Sequence, residues 1–133
     1  MKVGILATLF AGLLLVGLPL ASTAGPAPDM DGDGVPDVID NCKLVSNASP
    51  LDCDTDGDGY GNICDCDFNN DFGCGGPDFG PFVADFGGPD SGLGTDMNCD
   101  GAVGGPDFGP FVAQFGGTPG PSGLSCAGTT PCP

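Results

Sequence analysis

Aspartates set at every second position narrow the possible folds of this chain more than any other feature. Asp29, Asp31 and Asp33 form one such run, and Asp54, Asp56 and Asp58 form another. Carboxylates this close repel one another, and the repulsion opposes any compact backbone. Nothing within the chain relieves it. The 133-residue sequence carries 18 acidic side chains, all aspartate, and beyond residue 24 the only basic one is Lys43. Residues 25–133 therefore bear a side-chain charge of −17. A surplus of that size repels nucleic acid and anionic membranes, and it ordinarily marks a solvated, disordered tract.

The spacing argues against disorder. A calcium loop of the EF-hand type takes side-chain oxygens from positions 1, 3, 5 and 12, a backbone carbonyl from 7 and often a water-bridged group at 9, with glycine at 6 for the sharp turn. Loop 1 (29–40) sets Asp29, Asp31, Asp33, Asp37 and Asp40 at positions 1, 3, 5, 9 and 12, with Gly34 at 6 and the Val35 carbonyl at 7. Loop 2 (54–65) repeats this with Asp54, Asp56, Asp58, Asn62 and Asp65, with Gly59 at 6 and Tyr60 at 7. Loop 3 (67–78) offers Asp67, Asn69, Asp71 and Asp78; loop 4 (96–107) offers Asp96, Asn98, Asp100 and Asp107, with Ala102 at position 7. Both have glycine at position 9, so a water would complete the shell there. The registers absorb 15 of the 18 aspartates and leave Asp52, Asp85 and Asp90 without a role. An all-oxygen set of this kind suits calcium better than magnesium. The expectation is three to four Ca2+, with loop 3 weakest because Phe72 stands at position 6. Folding and metal binding would then be one event.

Residues 67–89 and 96–118 are a duplication, identical at 16 of 23 positions, with Gly75 to Ala84 repeated unchanged as Gly104 to Ala113. Phe79, Phe82 and Phe86, and likewise Phe108, Phe111 and Phe115, recur at helical spacing, and the pairs Gly87-Gly88 and Gly116-Gly117 would end each helix. The two Phe faces are the expected core. Pro81 and Pro110 are tolerated only in a first turn, which predicts short or late-starting helices.

Met1-Lys2, the apolar stretch from Val3 to Leu20 and the small residues Ala21 to Ala24 predict a secretory leader, cleaved after Ala24. All eight cysteines follow it: Cys42, Cys53, Cys64, Cys66, Cys74, Cys99, Cys126 and Cys132. An even count in an exported chain predicts disulfides, whose pairing the sequence leaves open. Zinc is disfavoured, since there is no His and no pair of CxxC motifs. The Pro, Gly, Ser and Thr tail, 119–133, reads as irregular chain with no function assigned. Catalysis has little to stand on, with no His, no Glu, one Tyr and, beyond the leader, one Lys.

Residues 29–65 resemble thrombospondin type 3 repeats in Asp37-Val38-Ile39-Asp40-Asn41-Cys42, in Asn47, and in the run from Asp54 to Asp65. The resemblance implies calcium ligands and a disulfide that build an extended spacer, often in adhesive extracellular proteins. Residues 67–117 look like a dockerin, the duplicated loop-helix calcium module that attaches exported bacterial enzymes to cohesin domains. Their ligand positions and the internal repeat carry that likeness. Gly76-Pro77 and Gly105-Pro106 stand where dockerins commonly carry Ser or Thr. The resemblance implies a cohesin-like partner and a link to polysaccharide-degrading complexes. The alternatives are a calcium-stiffened spacer without such a partner, or a fragment of a larger exported hydrolase. The fold class expected is small, mostly irregular, and stabilised by calcium and disulfides. Extended Asp-rich loops (25–66) would precede two loop-helix units (67–118), packed as a pseudo-twofold pair of half EF-hands.

Overall fold

The computed structural model describes residues 25–133, and the predicted leader lies outside the described residues. Regular structure is scant. It comprises a 3₁₀ turn at Asn62–Cys64, helix α1 (Gly76–Asp85) and helix α2 (Gly105–Gln114), with no strand among the described residues. The chain is small and mostly irregular, as its composition implies.

Each helix has the same start. Pro77 and Pro106 occupy the first turn, where a missing N–H leaves no bond unmade. Asp78 and Asp107 reach back to accept the Gly75 and Gly104 N–H groups, both at 2.7 Å. Gly87 and Gly116 then take φ 88°, the left-handed conformation that closes a helix. The expectation that Pro81 and Pro110 must lie in a first turn is overturned, for both stand inside their helices. The residues before them are Gly80 and Gly109, which have no Cβ to meet the proline ring, so one source of the usual pre-proline clash is gone.

The two units exchange backbone bonds symmetrically. Val103 pairs with Gly87 and Gly88 of the first unit, both bonds at 2.8 Å, while Cys74 pairs with Gly116 and Gly117 of the second, at 2.7 and 3.1 Å. Residues 74 and 103, like 87 and 116, are 29 apart, so one contact is the other after a half-turn. The glycines that end the helices also join the units.

The core is narrower than the Phe stripes imply. Phe82 and Phe111 are buried, with ring centroids 5.1 Å apart, and Phe68 stacks on both, at 6.3 and 5.7 Å. Met97, Val103, Cys66 and Cys74 complete the cluster. The other four rings do not join this buried set: Phe79, Phe86, Phe108 and Phe115 are 47, 54, 45 and 51% exposed. Two ten-residue helices bury only the stripe that faces the partner unit. Phe68 and Met97, one place after the first ligand position of each loop, fill the remaining space.

Disulfides lace the Asp-rich segment to this pair. Cys42–Cys64 joins the ends of loops 1 and 2, Cys53–Cys99 ties the start of loop 2 to loop 4, Cys66–Cys74 staples loop 3, and Cys126–Cys132 closes the tail. Asn62 Nδ2 donates to the Asp96 carbonyl at 2.9 Å, and Gln114 Nε2 donates to the Ile63 carbonyl at 2.8 Å. Asp85, expected to be idle, is a fastening point. Its Oδ2 accepts from the Ser91 N–H and hydroxyl and from the Thr95 hydroxyl, pinning the end of α1 to the linker between units. Burial works against its charge, but these donors hold the carboxyl below its usual range.

Candidate metal centre

One backbone frame recurs in all four loops. The carboxylate at position 1 accepts the N–H of position 6: Gly34 to Asp29 at 3.0 Å, Gly59 to Asp54 at 2.9 Å, Gly101 to Asp96 at 2.7 Å, and Phe72 to Asp67. Position 6 is left-handed every time, with φ of 95°, 91° and 97° at the glycines and 66° at Phe72. Loop 3 thus turns as the others do, but through a residue whose Cβ disfavours that conformation. The carboxylates at position 5 accept the N–H of position 7 in three loops: Val35 to Asp33 at 2.8 Å, Tyr60 to Asp58 at 2.9 Å and Ala102 to Asp100 at 3.1 Å.

Positions 9 and 12 divide the loops into two kinds. In loops 1 and 2 the side chain at 9 accepts the N–H of position 2, Met30 to Asp37 at 2.8 Å and Thr55 to Asn62 at 2.9 Å. Asn62 also donates to the Thr55 hydroxyl at 2.8 Å and to Asp96, so both ends of its amide brace the fold. Asp40 and Asp65 at position 12 use Oδ1 to accept the N–H two residues on, from Cys42 and Asp67, both at 2.8 Å. In loops 3 and 4, Asp78 and Asp107 are fully buried. Each accepts one N–H from position 3 (Asn69 and Asn98, at 3.2 and 3.0 Å) and one from the helix cap.

Convergence follows the same division. Carboxylate oxygens of Asp29, Asp31 and Asp33 lie within 4.8 Å of one another, as do those of Asp54, Asp56 and Asp58. Among the described residues no such triad forms in loops 3 and 4, where position 3 is Asn69 or Asn98 and brings an amide. Two buried oxygens of loop 1, Asp31 Oδ2 and Asp40 Oδ2, have no hydrogen-bond partner. Asp40 is only 2% exposed and lies within electrostatic reach of Asp31, Asp33 and Asp37. Orphaned buried carboxylate oxygens are costly unless something positive meets them. The donor set, oxygen only and preformed, fits a hard divalent cation.

The sequence offered little sign of the braces around these loops. Asn47, buried, gives its N–H to Asp33 Oδ2 at 2.9 Å and its Nδ2 to Asn41 Oδ1 at 2.8 Å. Its place in the repeat pattern was the one available signal.

Crowding and burial shift the carboxyl groups of these loops away from their ordinary range. Burial pushes Asp65 up to about 8, with the charges of Asp58, Asp56 and Asp67 adding to it. Burial likewise lifts Asp58 to about 6, helped by Asp56 and Asp54. Asp40, Asp56 and Asp78 are raised too, again chiefly by burial. Asp33 is lowered, by the N–H groups of Val35 and Asn47. A carboxyl whose folded value lies above its unfolded 3.8 binds more protons in the native state. Its contribution to stability is present at acid pH and is lost as pH rises through the folded value. The metal-free protein is therefore expected to melt at least about 5 °C higher at pH 5 than at pH 8. Scanning calorimetry in chelator checks this. Added calcium should reverse the trend, because protons compete for the same oxygens.

Residues 27–49 match the family model of the thrombospondin type 3 repeat, which spans loop 1 and its Asn47 brace. That family is a calcium-binding extracellular module, structural and not catalytic. The four disulfides fit the same oxidising surroundings. No curated protein and no solved structure matches the chain.

Proposed function

We propose that this chain is a secreted calcium-binding module whose ordered form depends on three to four Ca2+ and which serves in attachment or assembly outside the cell. The observation that carries the calcium reading is loop 1. Three converging carboxylates and two buried, partnerless oxygens sit in a region with one lysine. Asp29, Asp31, Asp33 and Asp40 would hold the ion there, with the Val35 carbonyl. Asp54, Asp56, Asp58 and Asp65, with the Tyr60 carbonyl, would hold a second. Loops 3 and 4 would hold theirs through Asp67, Asn69, Asp71 and Asp78 and through Asp96, Asn98, Asp100, Ala102 and Asp107. A bound cation would supply the positive charge that the chain lacks and draw its loops together.

The attachment reading rests on the dockerin-like repeat and on its apolar outer faces. Phe79, Val83 and the cap residue Phe86 of one unit, and Phe108, Val112 and the cap residue Phe115 of the other, are about half exposed in matched pairs. A cohesin-like domain is the partner class this reading names. The match to a thrombospondin type 3 repeat favours a second reading, a calcium-stiffened spacer with no such partner. Calorimetric titration of the oxidised chain, residues 25–133, should give three to four equivalents of calcium. No heat on titration would refute the calcium reading. Binding of an immobilised cohesin domain, lost in Phe79→Ser/Phe108→Ser, separates attachment from spacer.

A further inference from the structure

The tail, unassigned from sequence, is fastened along the calcium loops by backbone bonds. The Gly120 N–H donates to the Cys64 carbonyl at 2.9 Å, and the Pro121 carbonyl accepts from Lys43 at 3.0 Å. The Gly123 N–H then reaches the Asp40 carbonyl at 2.7 Å, at the end of loop 1. Farther on, the Gly128 and Cys132 N–H groups donate to the carbonyls of Asp58 and Gly57, at 2.8 and 2.7 Å. This second stretch is a closed ring, joined by Cys126–Cys132 and held inside by the Thr129 N–H on the Cys126 carbonyl at 3.0 Å.

Contact between ring and loop 2 is close. A Cβ on Gly59 would lie 2.5 Å from Cys132 Sγ and 3.0 Å from Ala127 Cα. A Cβ on Gly128 would meet the Phe72 ring at 2.8 Å, and one on Gly120 would meet the Tyr60 ring at 2.7 Å. The ring therefore presses on positions 4 to 6 of loop 2, between the carboxylates at 3 and 5 and the carbonyl at 7. Loop 1 meets an earlier stretch of the tail at positions 9 and 12, where Gly123 donates to the Asp40 carbonyl and a Cβ on it would overlap the Asp37 carbonyl.

We propose that the disulfide-closed ring 126–132 is a strap that holds loop 2 shut, so that a cation bound by Asp54, Asp56 and Asp58 leaves more slowly than it would from a chain without the ring. The inference rests on the calcium reading above. For an ion to leave, the segment from Gly57 to Tyr60 must swing away from the carboxylates, and the strap ties the Gly57 and Asp58 carbonyls in place. Opening must break both bonds and separate the packed surfaces. Closing the ring keeps the strap ready to bind, since a free tail would lose more conformational freedom on docking.

The sequence provides a probe for this loop. Tyr60 is the one tyrosine and there is no tryptophan, so tyrosine-sensitised luminescence of bound Tb3+ reports on loop 2. Oxidised chain 25–133 is compared with Cys126→Ser/Cys132→Ser and with a chain ending at Leu124, which keeps the bonds from Gly120, Pro121 and Gly123. Each is loaded with Tb3+ and mixed with excess chelator. Release from loop 2 is expected to be about tenfold faster in both variants, as for the loss of two hydrogen bonds. The number of ions bound should stay unchanged. Hydrogen exchange at the Gly57 to Tyr60 amides should rise, while that at the Gly32 to Val35 amides of loop 1 should not. Unchanged release and exchange would overturn the strap and leave the calcium reading intact. Equal loosening of loops 1 and 2 would also overturn it, since the tail would then be part of the general fold. Failure of the unaltered chain to bind Tb3+ or Ca2+ at all would remove the reading beneath.

Discussion

Chelation of the oxidised chain at neutral pH is expected to lower its cooperative melting transition by more than about 20 °C. The magnitude follows from linkage. A site filled at a hundred times its dissociation constant stabilises the native state by about 2.7 kcal/mol, and three such sites reach about 8 kcal/mol. That is comparable with the whole stability of an ordinary small domain, about 5–15 kcal/mol. This protein has less than an ordinary core to set against the loss. Its buried apolar cluster is Phe68, Phe82, Phe111, Met97, Val103 and one disulfide, with Ile63 and Leu93 at its edge. The 17 net negative charges of residues 25–133 oppose collapse wherever no cation offsets them. The four disulfides should keep the chelated chain compact, so the measurement to make is the calorimetric transition together with near-ultraviolet circular dichroism. A transition that survives excess chelator with its midpoint within a few degrees would show that the hydrogen-bonded loops stand without metal.

The parts of this architecture that could be read from sequence are those in which one residue type meets a local backbone demand. Position 1 of each loop caps the turn at position 6, and the spacing holds even where Phe72 replaces glycine, because the Asp67 carboxylate still takes that N–H. Helix ends at Gly87 and Gly116 were legible for the same reason. What escaped depends on distant partners. Cys53 meets Cys99 across 46 residues, and the Cys132 N–H meets the Gly57 carbonyl across a still longer separation. Neither contact leaves a periodic mark. Asp85 shows the limit of an argument by register, since a carboxylate outside every ligand set holds three donors of the inter-unit linker. Its counterpart in the second unit, Gln114, reaches a different partner, the Ile63 carbonyl. The two helices are thus equivalent along their inner faces and have diverged at their ends.

Phe111→Ala is expected to cost about 4 kcal/mol and to melt both loop-helix units, whereas Phe115→Ala, at the cap that follows the same helix, should cost less than about 1 kcal/mol. Both changes remove the same side-chain atoms; Ala is a better helix former than Phe within α2 at 111, and Phe115 is the cap residue just beyond the helix, so propensity cannot account for a larger loss at 111 and burial decides. Phe111 is 1% exposed and meets Phe82, Phe68, Phe79, Phe108 and Phe115, with centroids between 5.1 and 6.5 Å. Its removal would open a cavity between the units that two short, disulfide-tethered helices cannot close. Phe115 keeps half its surface in water and among the rings meets Phe111 alone. The loss at Phe111 should spread to the first unit through the shared stack and through Cys74, whose backbone bonds run to Gly116 and Gly117 just beyond α2. On the calcium reading, the affinity of loops 3 and 4 should fall with it, because Asp78 and Asp107 are held in place as the third residues of helices that would have lost their packing. Denaturant unfolding in saturating calcium measures the difference between the two variants. Equal destabilisation by Phe111→Ala and Phe115→Ala would mean that the outer Phe faces are covered in solution and that the core is as wide as the full stripes.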